Sequence, residues 1–394
     1  MAKIMVISGG KWQCPIIKLA KSKGHFVLCT NLYEDSPAFE FSDVGLVANV
    51  LDKDRNLQIA EECQPDAIVT DQSDLAVPTV AYVAEKMGLA GIGTDVAERF
   101  TNKYKMREIT AREGFPSPKF KLCHSLEEAM DFVKVVSPSI IKPLDSQSSR
   151  GVHIVENTED IEKHWNDCIQ YSNSEEAIVI EEYIDGVEFT VDGLKTHDDY
   201  IVTAISQKEH YVYNPSVANR LLFSNTNNQY DYEQLRKINS SMVEAMQLPF
   251  GITHAEYKYK DGNFYLIEIA ARGGGTRISS DIVPLVSGIN SENILLDILL
   301  GQNSPIEEKE HYECAVLGFF DFSPGKIVNI IGVEEGLKQE GVHAVEIEVS
   351  VGEQIVNAQD DRSRCGYYII YADSIEQLEE REKRLKNTVK VVTE

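Results

Sequence analysis

The sequence has 394 residues, too many for one compact core, and its 43% apolar content is enough to give each of two or three domains a core of its own. Asp and Glu number 63 against 38 Lys and Arg, a formal net charge of -25, so we expect neither nucleic acids nor anionic membrane surfaces as partners. The chain shows no signal-peptide pattern and no apolar run near the roughly 18 residues of a membrane span. Its seven cysteines form no CxxC pair, which is typical of reduced thiols, and we expect a cytoplasmic protein.

The first part of the chain alternates short strands with amphipathic helices. Strand-like runs such as KIMVISGG and HFVLCTN are separated by helical runs such as CPIIKLAKSKG and LAVPTVAYVAEKMG, which end at Gly24 and Gly88. This pattern predicts a doubly wound parallel sheet over residues 1–102. The first turn, SGGKWQCP, lacks the G-x-G-x-x-G spacing and gives only weak support to a dinucleotide site.

Two further domains are expected. Over residues 103–305, strands and helices occur in clusters with hairpin signals, so the sheets of this part are predicted to be antiparallel. Helices are predicted at about 159–171 and 231–246, and SENILLDILLG closes the unit. Residues 306–394 read as a small α+β domain with four strands and a charged helix from about Ser374.

The segment THAEYKYKDGNFYLIEIAARGGG carries the first candidate site. Glu256 and Glu268 lie on two apolar strands joined by the Asp-Gly hairpin signal. A two-residue loop would put them on opposite faces, whereas a three-residue loop with a glycine bulge would put them, and His254, on one face. Converging carboxylates are typical of a Mg²⁺ site. The alternative is a pair of rim salt bridges to Arg272 or Lys258.

Other polar residues are further candidates for a binding site, and each has only weak support on its own. Lys142 is predicted to project from a strand end, and the following DSQSSRGV is a small polar loop of the kind that cradles phosphates. Lys103 starts a predicted helix, where anions also bind well. The strand AIVIEEYI ends in Glu181 and Glu182, whose carboxylates and neighbouring backbone suit an adenine edge and ribose hydroxyls. Solvated lysines and a surface hairpin are the alternatives.

The order of these features resembles the ATP-grasp family. A lysine, a lysine before a small polar loop, an acidic strand end, and a hairpin with two glutamates and an arginine follow one another in this chain. The resemblance covers nearly the whole sequence and implies a central domain that clamps ATP between two subdomains, after a doubly wound domain and before a small β-rich one. It is strongest for carboxylate–amine ligases of the amino-acid or dipeptide type. The layout is also similar to biotin carboxylase and to purine-pathway enzymes.

The resemblance implies roles for individual residues. The hairpin carboxylates of Glu256 and Glu268 would hold Mg²⁺, or Mn²⁺ in its place. Arg272 would hold the substrate carboxylate or its acyl phosphate, with Lys142 beside the reacting phosphate. Ala270 stands where many members have an Asn ligand, which puts a full two-metal site in doubt. The implied ATP contacts are Lys103, Lys142, Ser148, Ser149, Arg150 and Gly151 at the phosphates, Glu181, Glu182, Tyr183 and Ile184 at the adenine, and Glu188 at the ribose.

The implied reaction is a two-step ligation that releases ADP and phosphate. Substrate contacts are expected from SGGKWQ, TDQSD, SQKEHYVYNPSVANR and RSRCG, whose residues suit small polar substrates, and a homodimer is the usual assembly. A bicarbonate-activating carboxylase is the alternative within the family. A non-catalytic ATP-binding sensor is an alternative outside catalysis, and a NAD-dependent oxidoreductase is the weakest interpretation.

Overall fold

The structure is a computed structural model that describes residues 1–146, 150–302, 305–307 and 309–394. Its N-terminal part is a parallel sheet of four strands in the order β3-β2-β1-β4. The elements are β1 (Lys3–Ile7), α1 (Cys14–Ser22), β2 (Phe26–Asn31), β3 (Val44–Val47), α2 (Lys53–Cys63), β4 (Ala67–Val69), α3 (Val77–Met87) and α4 (Thr94–Arg99). The predicted alternation of strands and helices around a parallel sheet is confirmed.

A smaller antiparallel sheet follows. Its elements are α5 (Lys103–Arg112), β5 (Phe120–Cys123), α6 (Leu126–Val133), β6 (Ser139–Pro143), β7 (His153–Val155), α7 (Thr158–Ile169) and β8 (Ile178–Glu182). The strand order is β5-β8-β6-β7, and every pairing is antiparallel. Side chains at the helix starts fix the boundaries, since Ser125 and Asn157 accept hydrogen bonds from the first turns of α6 and α7.

The largest sheet has eight strands and runs through the middle and end of the chain. The central elements are β9 (Val187–Lys195), β10 (Tyr200–Tyr211), β11 (Asn214–Ser224), α8 (Tyr232–Ala245), β12 (Gly251–Lys260), β13 (Asn263–Ala270), α9 (Val283–Ser287) and α10 (Ser291–Leu299). The last elements are β14 (Cys314–Phe319), β15 (Gly325–Ile331), α11 (Val333–Leu337), β16 (Val342–Ile347), β17 (Gln354–Ile355), β18 (Gly366–Ala372), α12 (Ile375–Thr388) and β19 (Lys390–Thr393). The antiparallel order β13-β12-β9-β10-β11-β14-β18-β16 agrees with the prediction.

The large sheet crosses the boundary expected near residue 305. Leu221 of β11 pairs with Leu317 of β14, so C-terminal strands extend the sheet of the preceding part without a break. Strands β17, β15 and β19 form a separate small sheet. The division into 1–102, 103–305 and 306–394 stays a prediction.

Buried residues join the N-terminal sheet to the following part. One apolar cluster contains Ile4 and Val27 of the parallel sheet, Ile17 of α1, and Leu296 and Leu299 of α10. Helix α10 therefore shares a core with the first sheet, and this packing holds the carboxyl ends of β1 and β4 beside the loop that follows β13.

Two further observations bear on the expectations from sequence. All seven cysteines are free thiols in the structure. Over the described ranges, no single helix is long and apolar enough to cross a membrane; segments Ile278–Ser287 and Ser291–Leu299 reach that length and hydropathy only jointly, as a pair bent by 114°.

Candidate functional site

A cleft of about 1060 Å³ lies between the two antiparallel sheets and is bordered by N-terminal and C-terminal loops. The structure brings every sequence-predicted site residue that it describes to the wall of this cleft. These residues are Lys103, Lys142, Arg150, Gly151, Glu181, Glu182, Tyr183, Ile184, Glu188, Glu256, Glu268 and Arg272. Ser148 and Ser149 lie outside the described residues. The wall also contains Lys11, Trp12, Gln72, Asp74 and Arg364 from the stretches expected to contact substrate.

The hairpin of β12 and β13 places its two glutamates directly opposite each other. The loop is the two-residue Asp261–Gly262 turn, with φ values of 50° and 82°, and Lys260 pairs with Asn263. A regular continuation would put Glu268 on the other face, but a register shift after Glu256 corrects this, and Glu256 pairs with Glu268. The loop is therefore the two-residue alternative, but the opposite faces expected from it are not observed. The shared face comes from a bulge at Ile267.

An arginine from α5 contacts this bulge. Arg107 Nη2 donates to the backbone oxygen of Ile267 at 2.7 Å, and the same guanidinium pairs with Glu181, Nε lying 3.0 Å from Oε1. Arg107 and Glu181 are both buried. Arg107 thus connects the irregular strand to the end of β8, and sequence reasoning missed it because its partners are far away in the chain.

Lys142 and Lys103 are buried lysines, each held by one glutamate. Lys142 Nζ lies 2.9 Å from Glu181 Oε2, and Lys103 Nζ lies 2.9 Å from Glu268 Oε1. Burial would raise the pKa of Glu181, but Arg107 and Lys142 outweigh it and hold that pKa below its usual value. Glu181 therefore orients Lys142 through an ion pair, while its predicted contact with adenine stays a prediction.

Lys208 is a functional candidate that the sequence alone did not single out. Its Nζ lies 2.6 Å from Glu188 Oε1 and 2.7 Å from Glu256 Oε1. Burial would raise the pKa of Glu188, yet Lys208 and His210 hold it far below its usual value. The only signal in the sequence was its place in SQKEHYVYNPSVANR, a stretch expected to contact substrate. It became specific only once β9, β10 and β12 were known to be adjacent.

Arg272 is engaged by a carboxylate of the N-terminal part. Its Nε and Nη2 donate to Asp74 Oδ1 and Oδ2 at 2.8 and 2.6 Å, and Nη1 donates to the oxygen of Gly273. Gly273 N in turn donates to Asp71 Oδ1 at 2.9 Å. A Cβ on Gly273 would stand 2.3 Å from Ser279 Oγ, so this glycine is required by close packing of the loop. Neither Glu256 nor Glu268 forms a salt bridge with Arg272, so the alternative of rim salt bridges to Arg272 is not observed.

The hairpin residues fit a magnesium ion in part. Within the described ranges, no group of three or more His, Cys, Asp or Glu side chains could hold a metal ion by itself. Glu256 and Glu268 nevertheless supply carboxylate oxygens at one point of the cleft wall, and Mg²⁺ commonly takes one or two carboxylates together with phosphate oxygens and water. Ala270 is buried and pairs with His254, so no third oxygen ligand comes from that position.

Comparison with known proteins identifies two domains in the chain. Residues 135–281 match the ATP-grasp domain, and residues 318–394 match the L-amino acid ligase C-terminal domain 2. The formate-dependent phosphoribosylglycinamide formyltransferase of Methanocaldococcus jannaschii is 30% identical over 187 residues, which cover 46% of this chain and 48% of that protein. The chain thus spans about half the length of the curated relatives it matches.

Solved structures resemble the chain over its full length. The L-amino acid ligase from Bacillus licheniformis has a TM-score of 0.81 at 23% identity, covering 100% of this chain and 99% of that chain. The biotin carboxylase domain of the Hydrogenobacter thermophilus 2-oxoglutarate carboxylase, solved with MgADP, ADP and bicarbonate, has a TM-score of 0.76 at 19% identity, covering 99% and 90%. These similarities show the fold, and together with the two domain matches they confirm the resemblance found in the sequence. Residues 135–281 of this chain therefore form an ATP-grasp domain.

Proposed function

We propose that the chain is an ATP-dependent, ADP-forming ligase that joins a small-molecule carboxylate to an amine through an acyl phosphate. The observation that carries this proposal is the direct pairing of Glu256 with Glu268 on the cleft wall, with Lys103 and Lys208 bound to them. Phosphoryl transfer is catalysed mainly by positioning and by positive charge around the phosphate oxygens. This wall provides both.

Residues of the chain would act on each step. In the first step a carboxylate oxygen of the acid attacks the γ-phosphorus of ATP, and ADP leaves. Lys103 and Lys142 would neutralise phosphate oxygens, and Arg272 would hold the attacking carboxylate after releasing Asp74. In the second step the amine attacks the acyl carbon, phosphate leaves, and the nitrogen loses a proton. The cleft walls reduce the access of water to the acyl phosphate.

Magnesium is the metal that these residues fit, with Mn²⁺ as the alternative. Glu256 and Glu268 would hold it, and when bound it supplies further positive charge at the phosphates. In the cleft Lys208 already bridges Glu188 and Glu256, so the carboxylates are kept ionised and in place before any ligand arrives. The remaining ligands would be phosphate oxygens and water.

An amine acceptor is favoured over bicarbonate alone by the C-terminal part. Residues 318–394, whose strand β14 contributes Phe319 to the cleft wall, match a domain that is named for L-amino acid ligases. Biotin carboxylase shares the fold at lower identity. Amino-acid-like acids and amines are therefore the first substrates to try.

The test is a matrix of candidate acids and amines assayed for release of ADP and phosphate with Mg²⁺. We expect ADP release that requires one acid and one amine, and a product whose mass equals their sum minus water. AMP and pyrophosphate would contradict the acyl phosphate, and ADP release with bicarbonate alone would favour a carboxylase. ATP binding without turnover for any pair would favour a sensor. Light scattering of the purified chain tests the proposed homodimer.

A further inference from the structure

The cations on the cleft wall are mostly matched by close carboxylates. Lys11 Nζ lies 2.5 Å from Glu346 and 2.6 Å from Glu348. Lys208 has two carboxylate partners, and Arg272 has both oxygens of Asp74. Arg364, which follows the short helical turn Asp361–Ser363 and precedes β18, is less well matched.

Arg364 is a buried guanidinium with unused donors. Its side chain is 9% exposed, and its Nη2 contacts the backbone oxygen of Ala218 and Oδ1 of Asp361, each at 2.7 Å. Asp361 is itself 46% exposed, so water weakens the attraction between them. No described residue accepts a hydrogen bond from Nε or Nη1. Burial lowers the pKa of Arg364 despite Asp361, in contrast to Arg272, whose pKa is raised.

The surroundings of Arg364 are apolar. Its guanidinium carbon lies 3.7 Å from the centroid of the Phe319 ring, a stacking arrangement that holds the planar group in place. Val217, Leu317 and Ile278 line the same cleft and are buried beneath its surface. A guanidinium with unused hydrogen-bond donors next to apolar side chains suits a ligand with one anionic group and an apolar body.

Arg364 lies apart from the paired glutamates along the large sheet. It contacts β11 and β14, which stand three and four places from β12, the strand of Glu256. At the usual spacing between strands these places correspond to roughly 14 and 19 Å between the strand backbones. We therefore expect Arg364 to bind a different anionic group from the carboxylate that is activated beside Glu256.

We propose that Arg364 binds the carboxylate of the amine substrate, which is therefore an amino acid, with its apolar side chain packed near Phe319 and Leu317. This proposal rests on the proposed ligase function and adds a residue that determines the choice of amine. Arg364 would place the amino group toward the acyl phosphate by holding the opposite end of the molecule, and Phe319 would keep the guanidinium oriented.

Matched substrates test the proposal without altering the protein. L-leucine and L-leucinamide, which differ only in the carboxylate, are compared as amines with the acid that gives the highest ADP release in the matrix. We expect KM for L-leucinamide to exceed KM for L-leucine by about 10- to 100-fold, the usual range for one lost charged hydrogen-bonding interaction. Equal KM values would overturn the proposal.

Variants then assign the effect to Arg364. Arg364→Gln should raise KM for L-leucine by about 10- to 100-fold and leave KM for L-leucinamide and for ATP nearly unchanged. Arg112→Gln is the matched control, because Arg112 is 64% exposed, pairs with Glu113 and lies outside the cleft wall. Its KM values for L-leucine and L-leucinamide should equal those of the unaltered chain. Arg364→Lys keeps the charge but loses the planar fork, so its KM for L-leucine should lie between those of the unaltered chain and Arg364→Gln.

The outcomes separate the inference from the proposed function. If Arg364→Gln does not fold, as judged by thermal unfolding, Arg364→Lys and the two substrates carry the test. If an Arg364 variant retains normal turnover and an unchanged KM for L-leucine, the inference is overturned and the ligase proposal stands. A change in KM for the acid in place of the amine would show that Arg364 binds a second carboxylate of the acid, which also overturns it. No turnover with any pair would remove the ligase proposal itself.

Discussion

Arg272 and Asp74 form a two-pronged ion pair that joins the loop after β13 to the N-terminal part of the chain. Both guanidinium–carboxylate contacts are short, 2.8 and 2.6 Å, and both side chains are mostly buried. Burial would raise the pKa of Asp74, but Arg272 outweighs it and holds that pKa low. The arginine proposed to hold the substrate carboxylate is therefore occupied by a carboxylate of the protein itself, 198 residues away in the chain.

Asp74→Asn should lower the free energy of unfolding by about 3 kcal/mol, because it leaves Arg272 buried without its counter-charge. Arg272→Met should cost a similar amount, and the double variant should cost less than the sum of the two. Urea unfolding of the four proteins measures this coupling. Asp131→Asn is the control, since its ion pair with Lys134 is exposed and should contribute little. Additive costs at positions 74 and 272 would contradict the structure.

Glu268→Gln should reduce substrate-dependent ADP release at least about 100-fold in a protein that is still folded, because it removes a charge that orients Lys103 and is proposed to hold Mg²⁺. Glu98→Gln makes the same chemical change at an exposed pair with Lys105 and should retain normal turnover. Near-normal rates for Glu268→Gln would exclude Glu268 from the proposed metal site.

The sequence predicted the type of each sheet and part of the residues on the cleft wall, because hydrophobic period and turn chemistry are local signals. It did not predict the register of the hairpin. The Asp-Gly loop alone puts Glu256 and Glu268 on opposite faces, and the bulge at Ile267, which Arg107 contacts from 160 residues away, reverses this. The sequence also did not identify Lys208, because its position between Glu188 and Glu256 depends on the order of strands β9, β10 and β12 in the sheet.

Lys208→Met should make the protein depend on Mg²⁺ for stability. Without the ammonium, Glu188 and Glu256 face each other without a cation, which lowers the melting temperature in EDTA. Mg²⁺ should then raise the melting temperature more in the variant than in the unaltered protein, because lysine no longer competes for Glu256.

Lys258→Met is the control for this comparison. Lys258 Nζ lies 4.6 Å from the centroid of the Tyr183 ring, and no described carboxylate forms an ion pair with it, so its loss should leave the Mg²⁺ shift unchanged. Equal Mg²⁺ shifts in the Lys208 variant and the unaltered protein would show that Glu256 does not bind the metal.

Glu292, in the first turn of α10, gives a prediction for pH. It is 3% exposed, and burial, reinforced by the carboxylates of Asp71 and Asp281, raises its pKa well above the usual value. Between the pKa of the unfolded chain, about 4.3, and this raised pKa, the folded state binds more protons than the unfolded chain. Stability from this group is therefore complete at low pH and falls as pH rises through that window.

Glu292→Gln, which keeps the side chain neutral, should raise the free energy of unfolding by about 1 kcal/mol or more at pH 8, since one unit of pKa corresponds to about 1.4 kcal/mol. The gain should shrink toward zero near pH 4. Glu382→Gln should do the opposite, because Arg220 and Lys386 outweigh burial and lower the pKa of Glu382: it should destabilise at pH 8 and matter less as pH falls. Urea unfolding of the three proteins between pH 4 and 8 measures both trends. A loss of stability at pH 8 in Glu292→Gln would mean that Glu292 is ionised in the folded protein and held by a cation.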